Sequence, residues 1–502
     1  MAGKIVYKNY QQNQLFLLPP SLDELIAEKH PVRLVNQVID QIDISILEKE
    51  YKGGGTSSYH PRMLLKVMVY SYLCNVYSSR MMEQQLRENI HFMWLSGMSQ
   101  PDHNTINRFR SERLKTSLET IFSHVVALMV DQGIVNLKQA FVDGTKLEAN
   151  ANRYTFVWGR SITTSKDRIA TQLKELWKYT QQVAQIESQE PEPPDFDPVD
   201  PAKVRETLEK IDQALRQSPQ TSNKVKQKVN YAKRNWSDKL EQYQQKEQQL
   251  GSRNSMSKTD PDATFMRMKE DHMLNGQLKP GYNVQLSTND QFILCYSLHQ
   301  QANDYNTLPE HLTRFEKMHG CLPEDLTADA GYGSLENYEL LAQKEVNAYV
   351  KYPLFNKEQQ ASLPDFHSST LHYNEKSDCY YCPMGQPMTK THSFIKDGKN
   401  IISYQAQNCN GCPLNGACHK NKGNRKIEIN HQLIKHKKRA RELLTSDEGV
   451  ALRKKRCYDV EPTFANIKQN KKFKRFNLRG LKKANIEIGL IAIAHNLKKM
   501  AA

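Results

Sequence analysis

The sequence predicts a mixed α/β (α+β) chain in which a mixed-sheet domain is interrupted twice and preceded by an all-helical region. Three observations carry this. Apolar residues at helical spacing dominate up to about residue 135, short strand signals alternate with helices between 138 and 352, and two tracts of different composition break that alternation. The 502 residues allow about three domains at ~150 residues each. Lys and Arg number 70 against 55 Asp and Glu, a net charge of +15, so a polyanion is the expected partner, nucleic acid before an anionic membrane surface. A mean hydropathy of -0.72 and the lack of a long apolar run argue against a membrane span. The basic start, Met1 to Tyr10, runs into QQNQ rather than an apolar stretch, so no signal peptide is expected and the cytoplasm is the expected compartment.

In the first region, Leu64, Leu65, Val67, Met68 and Tyr72 recur at helical spacing and Met81 to Arg87 continue as a polar helix. Pro101 to Thr105 read as a loop and cap before a short basic helix carrying Arg108, Arg110 and Arg113, a helix, turn, basic-helix order suited to DNA docking. A helical bundle with a solvated basic face would read the same way.

Gln139 to Thr145 then read as a short apolar strand ending on Asp143 and Gly144. From about Ser165 to Leu250 a Gln- and Lys-rich helical tract follows, with apolar stripes at Ile169, Leu173 and Leu176 and at Val204, Leu208, Ile211 and Leu215. The Pro-rich acidic stretch Glu187 to Pro201 cannot continue a helix, so a helical hairpin-like insertion is expected. Tyr282 to Leu286 and Phe292 to Leu298 read as a β-hairpin turning at 288–290, followed by a helix over 307–319. Leu326 to Gly333 read as a strand stub closing on Asp329 and two glycines, followed by a helix over 334–344 and a strand at 347–352. If the strands ending at Asp143 and Asp329 are neighbours, both carboxylates emerge at one sheet edge, where hard oxygen donors can share divalent cations.

Cys74, Cys295, Cys321 and Cys457 are scattered and read as incidental, whereas Cys379, Cys382, Cys409, Cys412 and Cys418 fall within forty positions. Cys379-x-x-Cys382, then Cys409-x-x-Cys412 and Cys418-His419, has the spacing of a zinc ribbon, with four of the five as structural Zn²⁺ ligands. The two Cys-x-x-Cys pairs are one possible tetrad.

Between Arg453 and Lys483 stand twelve Lys or Arg against two acids, Asp459 and Glu461, with Phe464, Phe473 and Phe476 interleaved. Such a segment is folded and its charge directed, so Arg456, Lys468, Lys471, Lys472, Lys474, Arg475 and Arg479 are candidate phosphate contacts. Glu461 is the best third acid; Glu461, Lys468 and Arg475, seven residues apart, would share one helical face.

The segments VDGTKLEANANRYTFVW (142–158), TDPDA (259–263), GYNVQ (281–285), TADAGYGS (327–334) and VEPTFANIKQNKKFKRFNLRG (460–480) together resemble bacterial insertion-sequence transposases of the DDE class. PRMLLKVMVYSYL (61–73) and PDHNTINRFR (101–110) extend the resemblance into the N-terminal region. It implies an RNase H-like catalytic domain in which Asp143, Asp329 and Glu461 hold two Mg²⁺, with Mn²⁺ a possible substitute. It also implies double-stranded DNA as partner, both terminal inverted repeats and target, and metal-assisted cleavage followed by strand transfer. Similar transposases keep a Cys-Pro-x-Gly cysteine with three later ones, which selects Cys382, Cys409, Cys412 and Cys418. Lys468 stands at the family's spacing from Glu461, whereas Arg456 is one place further than the commonest spacing. A homodimeric synaptic complex and nucleoid association when DNA-bound follow from the same likeness. The implied division is 1–135 helical and DNA-binding, 136–160 and 258–352 catalytic core, 161–257 helical insertion, 353–430 zinc-ribbon-like insertion, and 431–502 basic helices completing the core. A metal-dependent nuclease without strand transfer would share the acids, and a zinc-ribbon DNA-binding repressor would need only the basic surfaces.

Overall fold

Two His-Pro pairs open helices in the same way. In Pro31–Gln41 and Pro61–Leu73 proline takes the first helical position, where its missing N–H costs nothing. The preceding His30 or His60 turns Nδ1 to accept from Val32 N at 3.2 Å or Arg62 N at 3.1 Å. The computed structural model describes residues 20–51, 58–184, 199–218, 221–268 and 276–502. The chain divides into two units, one from the chain up to Met129 together with Ile486–Ala502, the other from Val130–Asn485. No helix among the described residues is long and apolar enough to cross a membrane.

The first unit is helical, with Val35, Ile39, Leu65, Met68, Tyr72, Ile121, Phe122 and Val125 in its core. Asp102 caps His103–Arg108 by accepting from Thr105 N at 2.8 Å, and a π-turn, Phe109–Arg113, carries the chain on into Leu114–Asp131. The expected short basic helix is therefore the start of a longer helical run, and the expectation for Arg110 is corrected. Arg110 is 3% exposed, its Nη1 donating to Tyr72 Oη at 3.2 Å and Tyr77 O at 2.6 Å, so it holds the core rather than facing DNA. Arg113 is half-buried over the Tyr51 ring, while Arg108 is exposed. The C-terminal helix Leu481–Met500, expected to complete the sheet domain, belongs to this helical unit from Ile486 on. Its buried Glu487 accepts from Tyr72 Oη at 3.1 Å.

The second unit is built on a six-stranded mixed sheet. Its strands are β1 (Gln139–Glu148), then, after a two-stranded β2 (Phe156–Trp158) and β3 (Ser255–Ser257) pair, β4 (Thr264–Arg267), β5 (Leu278–Asn289), β6 (Phe292–His299), β7 (Asp325–Ala328) and β8 (Asn347–Val350). β5 pairs antiparallel with β1, β4 and β6; β7 is parallel to β1 and β8 to β7. The β5–β6 turn comes later than the sequence suggests. Asn289 still pairs with Phe292, leaving Asp290 and Gln291, both at positive φ (48° and 63°), as a two-residue turn whose twist matches the strands.

The first insertion is three helices rather than a hairpin: Gly159–Ala184, Pro201–Gln217 and Asn223–Leu250. A second break after Gln217 supplies the third helix, and the stripes Leu173, Leu208, Ile211, Trp236 and Leu240 close on one another as its core. Of the acidic linker, 187–198 lies outside the described residues; Asp200 caps the second helix through Ala202 N at 3.0 Å. The second insertion is a five-stranded antiparallel sheet, larger than the expected ribbon: β9 (Tyr373–Asn374), β10 (Cys379–Tyr381), β11 (Pro387–Lys396), β12 (Lys399–Ala406) and β13 (Lys426–Ile429), in the order β13-β12-β11-β10-β9. Tyr380, Met388, Tyr404, Ile427 and Ile429 form its core.

Under β5 and β6 a buried polar chain replaces apolar packing. His299 and His311 share Ser297 Oγ, at 2.7 Å each, and His311 Nε2 meets Ser287 Oγ at 2.7 Å. Burial pushes His311 down to about 3, so it stays neutral in the fold while the unfolded chain takes up a proton below the ordinary histidine pKa. A depressed histidine contributes stability above ~6.5 that is lost as pH falls towards 3; from pH 7 to pH 5 the loss is about 2 kcal/mol by linkage. Urea unfolding at the two pH values measures it, and His311→Gln is expected to flatten the dependence.

Candidate active site

In the parallel pairing of β1 with β7, Val142 stands opposite Ala328, so Asp143 and Asp329 come at the next step of neighbouring strands. The sheet thus brings together the two acids that the sequence singles out. Each fixes one oxygen locally: Asp143 Oδ1 accepts from Gly144 N and Asp329 Oδ1 from Gly331 N, both at 2.8 Å. The second oxygens converge on one cation. Arg456 Nη2 lies 3.2 Å from Asp143 Oδ2 and 3.7 Å from Asp329 Oδ2. The Asp143 side chain is 10% exposed and that of Asp329 41%, so the pair opens to solvent on the Asp329 side.

Arg456 comes from the helix Asp447–Ala465, capped by Ser446 Oγ accepting from Gly449 N at 3.0 Å. Leu452, Arg456, Asp459, Val460 and Thr463 are buried and form one face of it. Expected to meet DNA, Arg456 instead lies on that buried face against the two acids, which corrects its assignment. Glu461 is exposed and, five residues on, stands about 140° round the helix from Arg456. The acid that does face the sheet is Asp459, whose Oδ1 accepts from Gln291 N at 3.1 Å; burial raises its carboxyl above the usual range.

A third carboxylate, missed in the sequence, completes the surroundings. Asp304, in the loop after β6, accepts at Oδ1 from Asn283 Nδ2 (2.7 Å) and Gln285 Nε2 (2.9 Å). Gln285 Oε1 in turn accepts from Tyr332, whose phenol is held far above its ordinary pKa by burial and then by Asp304, Asp143 and Asp329. The glycines make this closeness possible. A Cβ on Gly144 would lie 2.3 Å from Gln285 Nε2 and 2.7 Å from Asp304 Oδ1, and one on Gly331 2.9 Å from Asp329 Oδ1. The signal for Asp304 was its place, just past a strand running in the same sense as β1 and so ending at the same sheet edge.

The basic segment is tied to the sheet. The helix gives way to a π-turn, Asn466–Asn470, so Arg475 lies beyond it and does not share a helical face with Glu461. Arg475 donates from Nε to Ala149 O (3.2 Å) and from Nη2 to Ala151 O (3.0 Å), and Arg479 Nε to Asn150 O (3.0 Å). These contacts bind the closing motif to the one that follows Asp143. Lys472, Lys474, Arg475 and Arg479 are exposed and Lys468 half-buried, but Lys471 is 0% exposed. The turn after the helix, with Lys471 N donating to Asn466 O, draws that lysine inside and removes it from the surface set.

Two family models match the chain. Residues 381–501 match a transposase DDE domain, and residues 20–112 match a transposase domain, DUF772. Both matches are to transposase domains, and together they support an insertion-sequence transposase of the DDE class. No curated protein and no solved structure matches it. The DDE match takes in Arg456, Glu461 and Lys468; Asp143 and Asp329 lie outside it.

The five clustered cysteines divide four and one. Cys382, Cys409, Cys412 and Cys418 line one pocket with His419 and Arg425, whereas Cys379 sits on β10, buried, with Ser377 Oγ at 3.1 Å. Arg425 N donates to Cys409 Sγ at 3.3 Å and its Nη1 to Cys418 Sγ at 2.8 Å. Both ring nitrogens of His419 are shielded without a hydrogen-bond partner. Among the described residues, no group of three or more His, Cys, Asp or Glu is arranged to hold a metal ion.

Proposed function

We propose that this transposase binds the ends of its DNA element, cuts them in a divalent-metal-dependent reaction and transfers the freed strands to target DNA. The observation that carries the reading is the convergence of Asp143 and Asp329, from adjacent parallel strand ends, on a single cationic group. The strand order, with β5 antiparallel to β1 and β7 and β8 parallel to it, supports an RNase H-like core. Two carboxylates are a hard oxygen donor set, suited to Mg²⁺ or Mn²⁺. Divalent ions held by Asp143 and Asp329 would supply activation of the attacking oxygen and neutralisation of phosphate charge; Glu461, on the exposed face of its helix, is proposed as third ligand from its place in the matched motif alone. The chain's own part is to fix the acids. Gly144 N and Gly331 N each hold one oxygen of the pair, and the Asp304, Gln285 and Tyr332 chain braces the floor beneath them. Arg108, Lys468, Lys472, Lys474, Arg475 and Arg479 are proposed to meet phosphates, giving strongly salt-dependent binding. Cutting two ends together requires a homodimer or larger synaptic assembly, acting in the cytoplasm on the nucleoid.

The test is incubation with Mg²⁺ and DNA carrying the sequences on either side of the gene. Cleaved ends joined to target DNA are expected; nicks without joined products would leave a nuclease, and binding without any cutting a repressor.

We also propose that Cys382, Cys409, Cys412 and Cys418 hold a structural Zn²⁺. Their common pocket and the N–H donors from Arg425 to two of the sulfurs support this set, and Cys379, seated apart on β10, is left out of it. Cys412→Ser is expected to lose stoichiometric zinc by atomic absorption and lower Tm, while Cys379→Ser keeps its zinc.

A further inference from the structure

Arg456 stands between the two acids as a cation supplied by the chain itself. The guanidinium is nine-tenths buried, one nitrogen serves both Asp143 and Asp329, and its Nε has no hydrogen-bond partner. Two carboxylates at adjacent strand ends repel, and a positive charge between them relieves the repulsion in a site with little water to screen it. A divalent ion taking an oxygen from each acid needs distances of about 2.0–2.6 Å. The guanidinium already stands against both of the oxygens not committed to backbone N–H groups, so ion and guanidinium cannot hold them together. Like charge adds to the conflict of space.

We propose that Arg456 is a built-in counter-ion that keeps the acid pair assembled in the metal-free protein and competes with the divalent ion for it. This rests on the reading of Asp143 and Asp329 as metal ligands. Its buried neighbours along the helix are Leu452, Val460 and the hydrogen-bonded Asp459, and Lys351 adds a second positive charge beside it. Metal entry therefore sends the guanidinium towards solvent on the open Asp329 side, and the metal-free chain guards its own acids. The apparent affinity for metal is lowered by the competition, as for any site whose competent state is only partly populated.

Three measurements on the full chain test this without DNA. Mn²⁺ binding followed by electron paramagnetic resonance is compared for the wild type, Arg456→Gln, Asp143→Asn and the double variant, together with metal-free Tm. Arg456→Gln is expected to lower metal-free Tm and tighten Mn²⁺ binding by about five- to fifty-fold, within the range of ordinary coupling between sites. Asp143→Asn removes the binding in either background. In the wild type, saturating Mn²⁺ is expected to raise phenylglyoxal labelling of Arg456, read by peptide mass spectrometry, which keeps the test alive if the variant does not fold. Unchanged or weaker Mn²⁺ binding in Arg456→Gln, or labelling that Mn²⁺ does not raise, overturns the counter-ion while leaving the metal pair standing. Wild-type binding indistinguishable from that of Asp143→Asn brings down the metal pair itself.

Discussion

Asp143→Asn and Asp329→Asn are each expected to cut Mg²⁺-dependent cleavage by about a thousand-fold, some 4 kcal/mol of transition-state stabilisation. Affinity for DNA is expected to change less than about three-fold, because neutralising one acid removes no phosphate contact. The two variants should differ in stability. Asp143 is largely buried beside Arg456 and Asp329 is well exposed, so losing the first charge leaves the guanidinium with its more screened partner. The lower Tm is therefore expected in Asp143→Asn. Gel assays of cleavage, anisotropy of labelled DNA and thermal unfolding separate the three effects; full cleavage in either variant removes that residue from the site.

The acids were legible because strand and turn chemistry write them locally: an apolar run, an Asp, a Gly. Whether the two strands are neighbours was left conditional in the sequence, and the parallel register of β1 on β7 supplies it. Arg456 was misplaced for the opposite reason. In a run of twelve cations a single residue turned inward leaves no local mark, since its partners lie about 130 and 310 positions away in the chain. Arg110 and Lys471 share that history: net charge pointed outward, and packing against Tyr72 or behind a π-turn decided otherwise. Asp304 sits in a loop without periodicity, and only the direction of β6 reveals which edge it joins. The third helix of the insertion was hidden because one Pro-rich break was conspicuous and the other, after Gln217, was not.

Glu461→Gln and Asp459→Asn, two residues apart, are expected to behave oppositely. Glu461 is exposed and belongs to the VEPTFANIK motif inside the matched DDE domain. Its loss as a carboxylate is expected to lower cleavage by about a hundred- to a thousand-fold, the scale of one lost charge-stabilising group, with Tm unchanged. Asp459 carries the burial-raised carboxyl, so its ionisation opposes folding increasingly as pH rises from its unfolded value through its folded one. Asparagine keeps an oxygen for Gln291 N and removes that charge. Asp459→Asn is thus expected to be as stable as the wild type at acid pH and more stable near pH 7, while still cutting DNA. The reverse pattern, an inactive Asp459→Asn beside a fully active Glu461→Gln, would move the third acid of the site from the outer face of the helix to the face that already carries Arg456.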